Sequence, residues 1–268
     1  MTDLFLAGDH MLEGVFEEGG PGASWGGVVV AHPHPLYGGT MAQPVVYRVA
    51  QACRDKGLAS LRFNFRGVGK STGTYGGRDE YLDVQAALVY MQERLTEGYP
   101  AEERLAKGQL AEGYPAEGRA GRPSGPMPTL PRTGPSPVPD ASLLPTPAMV
   151  PIGLAGYSFG SIMAALASGA PVRVQALALI AFPVNWRDQI PEAFECLRTY
   201  RGPILAVCGE KDDLAPPEPL ERALSSMGLD FRMEVVLGEG HLFDESRVEV
   251  GRLVADFMAE ELGLLGGC

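Results

Sequence analysis

Gly156-Tyr157-Ser158-Phe159-Gly160 stands between an apolar run, residues 149–154, and Ser161-Ile162-Met163-Ala164-Ala165-Leu166-Ala167, a segment of helix-forming composition. Strand, sharp turn and helix in that order are what a nucleophile elbow requires. A turn that tight crowds its flanking positions, so glycine is expected at 156 and 160, and the serine hydroxyl is lifted clear of the sheet edge. The first N–H groups of the following helix then face whatever the hydroxyl attacks. In a chain with 35 glycines the five residues alone are a weak signal, and the flanking strand and helix give them weight.

Outward from the elbow the pattern alternates. Residues 4–6 and 11–16 read as a β-hairpin around Ala7-Gly8-Asp9-His10, and Gly27-Val28-Val29-Val30-Ala31 as a strand buried on both faces of a parallel sheet. A helix is expected from Thr40, with Val45, Val46, Val49 and Cys53 at helical spacing and Gly57 as its stop. A strand follows at 58–65, then a helix at 80–93 with Leu82, Ala86, Val89 and Tyr90 on one side. Beyond the elbow, strands at 174–182, 204–208 and 231–237 alternate with helices at 189–200, 217–227 and 248–262. Such alternation predicts a single α/β domain over residues 1–268, with a mainly parallel sheet and helices on both faces. A low-complexity insertion interrupts it at about 93–148. Ten of the 23 prolines fall between Pro123 and Pro151, and Glu97-Gly98-Tyr99-Pro100-Ala101-Glu102 recurs as Glu112-Gly113-Tyr114-Pro115-Ala116-Glu117. The insertion is expected to hold little regular structure and, since it leads into the start of the elbow strand, to lie away from the edge where ligands bind.

With 268 residues, 45% of them hydrophobic, the chain can bury one large core. A net charge of −11 argues against nucleic acid or an anionic membrane as partner and suits a small neutral or cationic molecule. No run reaches the length of a membrane span and the N-terminus is not signal-like, so a cytoplasmic location is expected. Cys53, Cys196, Cys208 and Cys268 show neither disulfide nor zinc spacing. Gly67 to Gly73 lacks the spacing of a phosphate loop.

A serine hydroxyl needs a base to take its proton, and the base needs an acid to fix its tautomer. His10, His32 and His34 precede Ser158; His241 follows the last strand. In hydrolases built on an elbow of this kind the chain order is serine, acid, histidine, which selects His241. Between them Gly209-Glu210-Lys211-Asp212-Asp213 follows a strand; Asp212 is preferred, with Asp213 the alternative. An oxyanion needs two donors. Phe159 N–H is one. Pro33 and Pro35 have no N–H, so the second is sought at Leu36, His34 or Tyr37, the first two ranking level. His32-Pro33-His34 has no companion ligand cluster, and its imidazoles are read as braces for the loop; neither metal nor cofactor is expected.

His32-Pro33-His34-Pro35-Leu36-Tyr37-Gly38-Gly39-Thr40-Met41, Arg62-Phe63-Asn64-Phe65-Arg66-Gly67-Val68-Gly69-Lys70-Ser71 and the elbow together resemble the small α/β-hydrolases without a cap domain, grouped near dienelactone hydrolases and serine aminopeptidase-like proteins. The resemblance implies an α/β-hydrolase fold with Ser158, Asp212 and His241 as the triad. Dienelactone hydrolases proper carry cysteine where this chain has Ser158. Residues 183–202 are too few for a large lid, so an open site is expected, with Tyr37, Phe182, Val184, Trp186 and Phe243 as pocket walls. Arg66, Glu80 and Asp83 read as a structural ion-pair cluster. The expected activity is a carboxylesterase-like serine hydrolase acting on small esters or thioesters. A peptidase would need a carboxylate such as Glu80 facing Ser158; a non-catalytic interaction protein would use the insertion to dock its partner. Self-association as a homo-oligomer is left open.

Overall fold

The computed structural model describes residues 2–20, 26–97, 150–169, 172–186 and 191–263. Residues 1–98 and 150–268 group by contact into one unit. Apart from residues 93–97, the predicted insertion falls outside the described residues, and with it the expectation about its position.

Eight strands form one sheet in the order β1-β2-β4-β3-β5-β6-β7-β8. β1 (Asp3–Ala7) and β2 (His10–Glu17) make the predicted antiparallel hairpin, and β2 pairs antiparallel with β4 (Ala59–Phe63). From β4 onward, β3 (Gly27–Ala31), β5 (Ile152–Tyr157), β6 (Ala176–Ile180), β7 (Ile204–Gly209) and β8 (Phe231–Val236) are all parallel. Side chains of the parallel strands alternate between two cores. Val28, Val30, Tyr157, Ile180 and Val207 pack with α1 (Pro44–Asp55) and α6 (Arg247–Glu261) on one face. Val29, Leu154, Leu179 and Ala206 pack on the other with α2 (Tyr81–Glu97), α3 (Phe159–Ala167), α4 (Pro191–Thr199) and α5 (Pro217–Ser226). Both faces are thus covered, as a continuous apolar strand demands. Between β6 and β7 the described residues hold a 3-10 turn, Val184–Trp186, and the nine-residue α4, with no large cap.

Three local expectations change. α1 starts at Pro44 rather than Thr40, because Gln43 accepts the Val45 N–H at 2.9 Å and proline suits the first helical position. α2 continues to Glu97, with Leu95 buried, so the helix extends past the boundary expected at 93. Its buried stripe is Val84, Leu88, Met91 and Leu95, while Leu82 and Val89 are about 40% exposed (43% and 40%). β3 presents Gly27 to this helix, and a side chain there would come within 2.7 Å of Met91 Sδ. That hollow draws the methionine face inward.

Candidate active site

All parallel strands end at one edge of the sheet, and the chemistry-bearing loops follow from it. At the elbow Ser158 has φ 54° and ψ −117°, outside the ordinary regions for a residue with a side chain. Its N–H donates to Ile180 O at 2.8 Å, and its carbonyl accepts the Ser161 hydroxyl. A Cβ on Gly156 would stand 2.2 Å from Gly160 O, and one on Gly160 would stand 2.4 Å from Ala31 O. Both glycines are therefore forced by backbone contact, and α3 seats directly against the end of β3.

Ser158 Oγ lies 2.8 Å from His241 Nε2. His241 Nδ1 lies 3.0 and 2.9 Å from the two oxygens of Asp212. A carboxylate can only accept, so Nδ1 carries the proton and bare Nε2 accepts from the serine hydroxyl. Asp212 is buried, and its Oδ1 also takes the N–H groups of Leu214 and Ala215, each at 2.9 Å. Asp213 is exposed, with its carbonyl bound by Asn185 Nδ2; it does not reach the imidazole. The two loops are tied by Lys211 N–H to Glu239 O at 2.8 Å and Gly238 N–H to Glu210 Oε2 at 2.8 Å. Tyr157, which the sequence reading did not single out, donates its hydroxyl to His241 O at 2.7 Å and fixes the histidine backbone.

The loop after β3 is braced as expected. Buried His32 accepts the Phe65 N–H on Nε2 at 3.1 Å and so donates from Nδ1 to Pro33 O at 2.6 Å, joining the ends of β3 and β4. Burial lowers its pKa to about 4. His34 caps the 3-10 turn Pro35–Tyr37, its Nδ1 accepting the Leu36 N–H at 3.2 Å, while Nε2 meets Tyr75 Oη at 2.9 Å. Burial also lowers the His34 pKa, with the Glu80 charge opposing. The N–H groups of Leu36, Tyr37, Gly38 and Gly39 are all taken within the loop, whereas those of His34 and Phe159 have no hydrogen-bond partner among the described residues. Leu36 is thus corrected as a donor: its N–H is engaged and its side chain is 74% exposed.

A cavity of about 350 Å³ opens over Ser158 and His241. Tyr37 and Trp186 line it, together with Gln43, Tyr157, Leu214 and Leu242. Phe182 and Phe243 do not. Both are wholly buried, Phe182 against Phe194 and Phe243 against Tyr157, and Val184 is a core residue too. Tyr157, Leu214 and Leu242 could have been found as sequence neighbours of Ser158, Asp212 and His241; Gln43 carried no such signal.

Arg66 binds buried Asp83, with Nη2 to Oδ1 at 2.6 Å and its backbone N–H to Oδ2 at 2.9 Å. His10 Nε2 joins at 3.0 Å. Burial lowers the His10 pKa, but its hydrogen bonds to Asp9 and Asp83 outweigh this and leave it raised. Glu80 is not part of this ion pair: it is fully buried, its Oε1 accepts the Gly76 N–H at 2.7 Å, and it does not line the Ser158 cavity.

This is the α/β-hydrolase fold in its cap-less form, with a serine on the elbow and an imidazole and a carboxylate in hydrogen-bond series behind it. Solved structures with the same fold include an α/β serine hydrolase homologue from Coxiella burnetii, 25% identical, TM-score 0.69, covering 96% of each chain. A Xanthomonas campestris α/β serine hydrolase without a lid is 19% identical at TM-score 0.68, covering all of this chain and 96% of that one. A Pyrococcus furiosus esterase is 14% identical at TM-score 0.65, covering 98% and 93%. In sequence, 66 residues are 47% identical to an uncharacterized protein of Rickettsia prowazekii, a match spanning 24% of this chain and 28% of that one. No family model matches the chain. Among the described residues no helix is long and apolar enough to cross a membrane.

Proposed function

We propose that this protein is a serine hydrolase that cleaves carboxylic esters or thioesters of modest size through an acyl-enzyme, in the cytoplasm. The observation that carries the reading is the unbroken series Ser158 Oγ, His241 Nε2, His241 Nδ1 and Asp212 at 2.8 to 3.0 Å. His241 takes the Ser158 proton as Oγ attacks the carbonyl carbon, and the oxyanion is held by the free N–H groups of Phe159 and His34. The intermediate collapses as His241 Nε2–H protonates the departing alkoxide or thiolate. Water then attacks the acyl-serine, giving one proton to His241, which returns it to Ser158 as the acid leaves. Asp212 stays ionised and stabilises the imidazolium.

Ester or thioester is favoured over peptide because among the described residues no carboxylate lines the cavity to hold a substrate amine, and buried Glu80 is turned to Gly76. The apolar walls Tyr37, Trp186, Leu214 and Leu242 suit a short acyl or alcohol chain. The reading is tested with p-nitrophenyl esters of two to ten carbons and matching acyl thioesters. It expects turnover with a stoichiometric burst on the shorter members, abolished in Ser158→Ala. Folded protein that turns over none of them would overturn it.

A further inference from the structure

Beside the main cavity a second recess of about 400 Å³ shares His34, Tyr37 and Trp186 with it and is completed by Tyr75, Gly76, Gly77, Arg78 and Phe159. His34 sits at the junction with every polar group but one engaged. Its carbonyl accepts from Tyr37 and Gly39, both at 3.1 Å. Its Nδ1 accepts the Leu36 N–H, so the neutral ring carries its proton on Nε2, and Nε2–H therefore donates to Tyr75 Oη. The ring packs against Tyr37, Tyr75, Phe159 and Trp186, with centroids 4.9 to 6.0 Å away. The group left over is the His34 N–H.

Tyr75 is itself held from the opposite side. The next residue, Gly76, donates its N–H to Glu80 Oε1, and the Arg66–Asp83 pair fixes the start of α2, from which Glu80 is displaced by one residue. Gly73 and Gly77, at φ 82° and 85°, let the chain turn on either side of the tyrosine. A rigid path thus runs from α2 through the loop after β4 to the loop after β3.

We infer that Tyr75 is a positioning residue: by accepting from His34 Nε2–H it fixes the imidazole, the 3-10 turn that the imidazole caps, and hence the backbone N–H of His34 as oxyanion donor. The inference rests on the hydrolase reading above. Without the phenol oxygen, Nε2–H loses its acceptor, the ring can turn or change tautomer, and the turn loses the acceptor for Leu36 N–H. The donor then strays from the oxyanion, an error that acts on the transition state more than on substrate binding.

Tyr75→Phe and His34→Asn test this. Asparagine can still cap the turn by accepting Leu36 N–H, yet cannot reach Tyr75. With p-nitrophenyl acetate, too small to fill the second recess, each variant is expected to lose about 10- to 100-fold in kcat with KM within about twofold. Imidazole ¹⁵N spectra, with His34 assigned by its loss in His34→Asn, are expected to place the His34 proton on Nε2 in the native protein and to show it divided between the two neutral tautomers in Tyr75→Phe. Native kcat in a folded Tyr75→Phe, a loss confined to KM, or a native proton on Nδ1 would each overturn the inference. If native protein is itself inert, the hydrolase reading falls first, and the inference with it; an active native protein with an equally active Tyr75→Phe sinks the inference alone.

Discussion

His32 ties the stability of the site to pH in a way that can be worked through. Its imidazole is buried, accepts the Phe65 N–H on one nitrogen and donates to Pro33 O from the other, so a second proton has no acceptor. Burial takes the pKa from 6.5 to about 4. The unfolded chain therefore binds a proton that the native state refuses throughout this window, and stability must fall as pH is lowered from 6.5 towards 4. At about 1.4 kcal/mol per pKa unit the loss is about 3 kcal/mol. His10, with its pKa raised, acts in the other sense: its contribution is full below 6.5 and is lost as pH rises through its folded pKa, outside the window. His34, with its pKa lowered, adds to the His32 trend. The assay is urea unfolding at pH 7, 6, 5 and 4 for the native protein and for His32→Asn, whose amide offers an acceptor and a donor without titrating. The variant is expected to be less stable at pH 7 but to lose about 3 kcal/mol less on acidification. Parallel curves for the two proteins would refute the argument.

Other expectations follow from the same geometry. Ser158→Gly should be more stable than Ser158→Ala by about 1 kcal/mol, since glycine relieves the positive φ at the elbow while losing more chain entropy on folding; equal urea midpoints would show the elbow to be unstrained. Gly160→Ala drives a Cβ to 2.4 Å from Ala31 O and 2.5 Å from His32 O, so thermal unfolding should register a loss of roughly 3 kcal/mol and the displaced Phe159 N–H should abolish turnover. In Asp212→Asn, Leu214 and Ala215 N–H hold the amide oxygen, which turns its NH₂ to His241 and puts the imidazole proton on Nε2. A kcat lower by about a thousandfold with the fold intact is expected from stopped assays.

Much of this was legible in the chain. Continuous apolar strands, the hairpin around Gly8 and the two elbow glycines each report a backbone requirement that few other residues meet. Asp212 and His241 were legible because strand ends and chain order leave few candidates. The pocket walls were not, because an aromatic residue just past a strand can turn either way. Phe243 has φ 49°, and Ala181, before Phe182, has φ 48°. These left-handed turns send both rings into the core and leave Leu242 to the cavity. The choice between Leu36 and His34 rested on where an imidazole nitrogen points, which no spacing encodes. The α2 stripe was misjudged because two apolar stripes compete and the hollow at Gly27 selects between them.

The central claim is that Ser158 is an activated nucleophile. Intact-mass analysis after treatment with a fluorophosphonate, on native protein and on Ser158→Ala, tests it most directly. The account predicts one adduct per native chain and none on the variant. A folded native protein that takes no label, or a variant labelled as fast as the native chain, would contradict it.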